Sequence, residues 1–380
     1  MRLFLLTFFL LYGGMHLYVF LKAKAAFAFN AQAGVVIALV MAVMIFAPVI
    51  VRQAEKSGHE TFAQIMSYVG YIWLGIVFLF ISVSLVLDCY RLVGYLAGGI
   101  FNKSFRLLTL TPQYAFFIPL TASLLIAFYG YFEAKDIRTE TIRIESSKIP
   151  AEIQRLRIVQ ISDVHLGLIV REERLGRILA AVKKADPDML VSTGDFVDGQ
   201  IDNLAGLADM LASIKPKYGK FAITGNHEYY AGLDQALQFT EKAGFKILRG
   251  EALNVENIIN IAGVDDPQAK AFSPYKEVSE KALLSELPRE YFTLLLKHRP
   301  FIDKDSIGLF DLQLSGHVHK GQIFPFSIVT GLYYKTQSGL NNLPGNSMLY
   351  VSRGSGTWGP PIRFLSPPEI TVIDLVHKNG

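Results

Sequence analysis

Residues 156–165 read Leu156-Arg157-Ile158-Val159-Gln160-Ile161-Ser162-Asp163-Val164-His165, an apolar run that ends in a carboxylate and an imidazole two residues apart. A short run rich in aliphatic residues reads as a buried strand, here over Leu156–Asp163. In a strand, residues i and i+2 point to one side, so Asp163 and His165 are expected to aim two ligand groups at the same sheet edge. Four similar clusters follow: Gly194-Asp195, Gly225-Asn226-His227-Glu228, Lys297-His298 and Gly316-His317-Val318-His319. Each is expected at a strand end or in the turn after it, with Gly194, Gly225 and Gly316 permitting the turn.

These clusters supply Asp163, His165, Asp195, Asn226, His298, His317 and His319 as candidate metal ligands. Four of the chain's 8 His fall on this pattern, which argues against accident. Oxygen and imidazole donors without thiolates suit two divalent cations such as Mn, with Fe, Zn or Mg as alternatives, rather than Cu(I) or an Fe–S cluster. Two cations about 3.5–4 Å apart can clamp a phosphoryl group and lower the pKa of a shared water, so the nucleophile is expected to be hydroxide rather than a side chain. Taken singly, an Asp or His on an apolar strand is more often hydrogen-bonded core. Asp198 reads equally well as a turn or helix-cap residue and as a functional group.

All five blocks occur in the order of the calcineurin-like metallophosphoesterases, D-x-H, G-D-x-x-D, G-N-H-[DE], H and G-H-x-H, which the chain resembles over about residues 140–376. The resemblance implies a two-sheet αββα sandwich with metals at the strand C-termini. It also implies Asp195 as the bridge between two metals, one held by Asp163, His165 and His319 and the other by Asn226, His298 and His317. By the same resemblance His227 is not a ligand; it stabilises the transition state or protonates the leaving oxygen, a task that suits an imidazole titrating near neutrality. Glu228 is expected to orient a nearby group. The tail Leu349-Tyr350-Val351-Ser352-Arg353-Gly354 and Ser366-Pro367-Pro368-Glu369-Ile370-Thr371 resembles the membrane-associated branch related to YkuE and the chlamydial UDP-2,3-diacylglucosamine hydrolase. That branch usually has Gly where this chain has Lys320, a cation that can meet a substrate phosphate or stay solvated.

The front half is of another kind. The chain has 380 residues, is 51% hydrophobic and has a mean hydropathy of +0.32, with the excess near the N-terminus. Leu3–Leu21, Gly34–Val51, Tyr68–Leu87 and Tyr114–Phe132 are uncharged and long enough to cross a hydrocarbon core. Four transmembrane helices are therefore expected in a membrane domain of residues 1–135, followed by a catalytic domain of residues 136–380. Arg2 and Ala23-Lys24-Ala25 imitate a signal peptide, but the run is too long and more spans follow. Thr7 and His16 in the first span read as helix-packing groups, and Pro48 and Pro119 as kinks.

Lys and Arg near the spans number seven on the side of the termini (Arg2, Arg52, Lys56, Lys135, Arg138, Arg143, Lys148) and five on the other (Lys22, Lys24, Arg91, Lys103, Arg106). This favours a multi-pass protein of the cell (inner) membrane with a cytoplasmic catalytic domain. A net charge of +4 without a basic, aromatic-interleaved groove points away from nucleic acid and toward the lipid bilayer as a partner. The single Cys89 excludes an intramolecular disulfide.

Beyond residue 136 strands and helices alternate, including an edge strand around Thr141–Glu145 and a helix over Arg171–Ala185 with Leu175, Ile178, Leu179 and Val182 on one face. Two apolar stretches near the ligands, Leu166–Val170 and Ile323–Val329 with Leu332-Tyr333-Tyr334, read either as ordinary loop-to-core packing or as loops that cover acyl chains or dip into the bilayer, and the adjoining membrane anchor favours the second reading. The expected function is hydrolysis of a phosphodiester or pyrophosphate bond in a lipid-linked substrate such as UDP-2,3-diacylglucosamine. The alternatives are a membrane-tethered phosphodiesterase for soluble nucleotides or small phosphoesters, and a non-enzymatic scaffold, against which the complete ligand set argues.

Overall fold

A computed structural model describes residues 2–101, 110–199, 204–272 and 278–378, so Lys103 and Arg106 of the charge count lie outside the described residues. The chain divides into two compact units, residues 1–132 with 359–362, and residues 133–358 with 363–380.

The first unit holds helices α1 (Arg2–Phe27), α2 (Ala31–Ile45), α3 (Ala47–Lys56), α4 (Glu60–Phe101) and α5 (Pro112–Glu133). Helices α1, α4 and α5 are long and apolar enough to cross a membrane. The expected second span, Gly34–Val51, is not one helix: α2 and α3 meet at a 53° bend. Phe46 leaves the helical conformation there, and Pro48 lies in the first turn of α3, where its missing N–H breaks no bond. α3 then buries Ala47, Val51 and Ala54 and exposes Arg52, Gln53 and Lys56, the pattern of an amphipathic surface helix. A fourth crossing exists only if the bent pair counts as one span. Pro119 by contrast stays inside an unbroken α5.

At 42 residues, α4 is about 63 Å long, roughly twice the hydrocarbon thickness. Within it Asp88 accepts from Lys22 and Tyr18, both at 2.6 Å. His16 is buried between helices: its Nδ1–H donates to Tyr12 O and its Nε2 accepts from Trp73 Nε1, each at 2.8 Å. Both ring nitrogens are satisfied, as expected of a packing group.

The second unit has two six-stranded sheets. The first, in spatial order, contains β1 (Arg138–Ser146), β12 (Glu369–His377), β2 (Leu156–Ile161), β3 (Met189–Ser192), β4 (Lys220–Ala222) and β5 (Lys246–Ile247). The second contains β10 (Gly339–Asn342), β11 (Met348–Val351), β9 (Leu312–Ser315), β8 (Phe292–Leu296), β7 (Ile259–Gly263) and β6 (Glu251–Val255). Ile158, Met189, Val191 and Ile373 of the first sheet pack with Ile261, Leu294, Leu296, Leu312 and Leu314 of the second.

Helix α6 (Glu172–Ala185) buries Leu175, Ile178, Leu179 and Val182 on the outer face of the first sheet, as its spacing predicts. α7 (Ala205–Ala212) and α9 (Leu233–Lys242) join that layer. α10 (Glu280–Ser285) places Leu284 against Ala262 and Leu295 on the second sheet. The result is the expected αββα sandwich.

Candidate metal centre

Strands β2, β3 and β4 run parallel as neighbours, as do β8 and β9. Their C-terminal ends release the five motif loops at one edge of the sandwich, where open α/β sheets place their ligand sites. β2 ends at Ile161 and β9 at Ser315, before the candidate ligands, so strand alternation does not aim Asp163 with His165 or His317 with His319. The loops do so instead. Asp163, His165, Asp195, His317 and His319 all have left-handed backbones, with φ of 52°, 54°, 53°, 71° and 49°. Each costs of order 1–3 kcal/mol for a non-glycine residue and persists only where its surroundings enforce it.

The glycines serve two purposes rather than one. Gly194 has φ of 94°, a true left-handed turn. A Cβ at Gly225 would meet the Asp195 carboxylate, so that glycine permits close approach of two loops.

Six of the seven candidate ligands converge, and Asn226 lies between Gly225 and His227, which both approach Asp195. Asp163, His165 and His319 form one group able to hold a cation, and Asp195, His298 and His317 another; a third joins His165 and Asp195 with His227. Asp195 Oδ2 is 3.2 Å from His298 Nε2 and 3.9 Å from His165 Nε2, so it faces both ends of the site. His319 Nε2 lies 3.3 Å from Asp163 Oδ1 and 3.2 Å from His165 Nε2.

The donor chemistry fits cations. His298 Nδ1–H donates to Thr193 O at 2.7 Å, which in a neutral ring leaves a bare Nε2 lone pair facing Asp195 Oδ2 and, at 3.1 Å, His317 Nδ1. A positive charge must sit between these atoms, a proton or a metal. Asn226 Oδ1 is buried with no hydrogen-bond partner, an orphan that a metal would satisfy.

The electrostatics of the site agree. Burial alone would raise Asp163 and Asp195, yet the surrounding imidazoles hold both well below the usual carboxylate range. Burial, followed by a neighbouring imidazole, lowers His165 and His317 to about 3, leaving their lone pairs free. His298 overcomes burial and rises to about 10 through Asp195, its proton standing where a cation would.

His227 occupies a different position. Its backbone N–H donates to Asp195 Oδ1 at 2.9 Å, and its Nδ1 meets Asp198 Oδ1 at 2.9 Å. Asp195 and Asp198 overcome the burial penalty and raise it to about 9. Asp198, ambiguous in sequence, thus orients the imidazole and leaves Nε2 toward the site. Glu228 accepts main-chain N–H groups of Asp195, Phe196 and Gly225 at 3.0, 2.7 and 2.7 Å and so ties two ligand loops together.

Sequence reading missed Arg363. Its fully buried guanidinium donates to His319 Nδ1 at 3.0 Å and to the carbonyls of Arg353 and Gly356. No local pattern marks it, because the ligand it supports, His319, lies 44 residues away in the chain.

The two apolar stretches separate. Leu166 and Val170 are fully buried in the core, Ile169 packs against it, and Leu168 and Ile169 stay half-buried. The other is a helix, α11 (Phe326–Tyr333), in which no residue is buried; Ile328, Val329, Leu332 and Tyr333 are exposed, Leu332 at 86%. Directly after it, the Tyr334 ring packs against His317 with 5.6 Å between centroids.

Comparison with known proteins agrees with this geometry. The calcineurin-like phosphoesterase family model matches residues 156–321. The chain is similar to an uncharacterized metallophosphoesterase of Aquifex aeolicus, 40% identical over 68% of this chain and 99% of the relative. YkuE of Bacillus subtilis, also an uncharacterized metallophosphoesterase, is 34% identical over 68% of this chain and 93% of its own length. A transmembrane protein with metallophosphoesterase domain from Danio rerio is 30% identical over 82% of this chain and 74% of its own length. With apolar helices in front of a metal-competent site and relatives of both kinds, the chain is a membrane protein that belongs to the calcineurin-like phosphoesterases, metal-dependent hydrolases of phosphoesters.

Proposed function

We propose that the protein is a dinuclear-metal phosphoesterase that hydrolyses a phosphodiester or pyrophosphate bond at a membrane surface, in a lipid-linked substrate such as UDP-2,3-diacylglucosamine. Asp163, His165 and His319 would hold one cation and Asn226, His298 and His317 the other, with Asp195 shared between them. The observation behind this reading is the position of Asp195 in groups with both His165 and His298, together with the orphaned Asn226 Oδ1. Mn²⁺ is the favoured metal for these hard-to-borderline donors. When bound, the two ions supply Lewis-acid activation of water and offset charge on the phosphoryl oxygens.

The chain's own residues do the rest. His227, oriented by Asp198, donates a proton to the departing oxygen. Glu228 holds the Asp195 and Asn226 loops in register. The exposed apolar face of α11, joined to the site through Tyr334 and His317, is where acyl chains or the bilayer are covered. Hydrolysis of soluble nucleotides or small phosphoesters is the second reading, favoured if α11 proves irrelevant to turnover. The excess of Lys and Arg beside the termini supports an inner-membrane protein with its catalytic unit in the cytoplasm.

The test is an assay of the purified chain with Mn²⁺ on bis-p-nitrophenyl phosphate and then on UDP-2,3-diacylglucosamine in mixed micelles. Turnover of both, with preference for the lipid, is expected. Turnover of the small diester alone would select the second reading.

A further inference from the structure

Two aromatic rings flank His227 and are left half in solvent. Tyr230, on the short helix α8 (Asn226–Ala231) that carries Asn226 and His227, lies three residues on and so on the same helix face. Its ring centroid is 5.4 Å from that of His227, at 74°. The Trp358 ring approaches from another loop, 6.2 Å away at 76°. Their exposures are 50% and 51%, large for aromatic surface beside a reaction centre.

Trp358 is nevertheless held firmly. The carboxamide of Gln322, itself only 7% exposed, accepts from Trp358 N and donates to Trp358 O, both at 2.8 Å. Gln322 has a left-handed backbone, φ 56°, just after the His317–His319 loop. A buried amide and a strained backbone thus fix the main chain from which an exposed ring projects toward His227. Tyr230 is fixed as well, its hydroxyl donating to Gln268 Oε1 at 3.1 Å and its ring resting on Phe272.

We infer that Trp358 and Tyr230 form a subsite for a flat ring, a nucleobase, on the leaving group. The inference rests on the assignment of His227 as the proton donor, which fixes this side of the site as the one toward which the leaving group departs. The bond from water oxygen to phosphorus forms, the bond from phosphorus to the leaving oxygen breaks, and that oxygen takes the proton held by His227. A nucleoside monophosphate leaving in this direction places its base against the two rings. Stacking recognises any base through its π-face, so the site is tolerant of base identity.

Calorimetric titration of the Mn²⁺-loaded, detergent-solubilised full chain tests this with four ligands: adenosine and uridine 5′-monophosphates, ribose 5-phosphate and inorganic phosphate. The wild type should bind both nucleotides about tenfold or more tightly than ribose 5-phosphate. Tyr230→Ala and Trp358→Ala should each remove most of that difference, Tyr230→Phe should keep it, and Gln322→Ala should narrow it with the Trp358 ring still present. Nucleotides bound no better than ribose 5-phosphate, or a preference that survives in both alanine variants, would overturn the subsite alone. Binding of none of the four would overturn the metal-site reading and the subsite with it.

Discussion

The Nδ1 atom of His227 lies 2.9 Å from the Asp198 carboxylate, across a separation of 29 residues. This pair distinguishes His227 from the four candidate ligand imidazoles, whose hydrogen bonds and ion pairs among the described residues involve no carboxylate outside the ligand set. His227→Ala is therefore expected to keep both metals by elemental analysis and to lose on the order of a hundredfold or more in turnover. The loss should shrink for leaving groups that need no proton. Asp198→Asn should move rate in the same direction, by less. Departure of a metal from His227→Ala would make His227 a ligand, as its grouping with His165 and Asp195 allows.

The α11 helix offers a second test. Phe324, Phe326, Ile328 and Leu332 are exposed, and replacing Ile328 or Leu332 by Ser should in each case change stability by about 0.5 kcal/mol or less. Each apolar side chain buried against lipid contributes about 1.5–3 kcal/mol, available only to a substrate that reaches it. Activity on a lipid-linked substrate should fall at least tenfold while hydrolysis of bis-p-nitrophenyl phosphate is kept. Equal loss on both would make the segment a support of the fold.

Stability in acid follows from a pair away from the site. Arg157 Nε and Nη2 donate to the two Asp374 oxygens at 2.7 and 2.8 Å, and these bonds hold Asp374 below the ordinary carboxylate range. A depressed folded pKa gives stability that is present above the unfolded value, near pH 4, and is lost as pH falls through the folded one. Asp374→Asn should cost about 1.5–3 kcal/mol at pH 7 and should show a shallower loss between about pH 4 and pH 2. Denaturation curves measured over pH 2–7 decide it; parallel pH dependence in the two proteins would contradict the assignment.

Much of this architecture was legible in the sequence because it is local. The run from Leu156 and the apolar stripe of α6 depend on period and composition, and the five motif blocks depend on order. What escaped depends on distant contacts. Asp198 gains its meaning only when His227 arrives from the loop after β4, and Arg363 only when folding buries it against His319. The left-handed ligand backbones are imposed by surrounding loops, so strand alternation was the wrong mechanism for a correct convergence. Leu166–Val170 and α11 looked alike as apolar stretches, yet one closes the core and the other stays bare. Pro48 marks a kink in the sequence, but hydropathy averaged over the span does not show that the helix breaks there into two with a 53° bend.

The central claim is that seven side chains hold two cations bridged by Asp195. Metal-to-protein stoichiometry after loading with Mn²⁺ and desalting measures it directly, alongside turnover of bis-p-nitrophenyl phosphate. The account predicts two Mn per wild-type chain, a lowered metal content in Asn226→Ala and Asp195→Asn, and abolished hydrolysis in both variants while they remain folded and membrane-bound. A single Mn in the saturated wild type, or wild-type turnover in either variant, would contradict it.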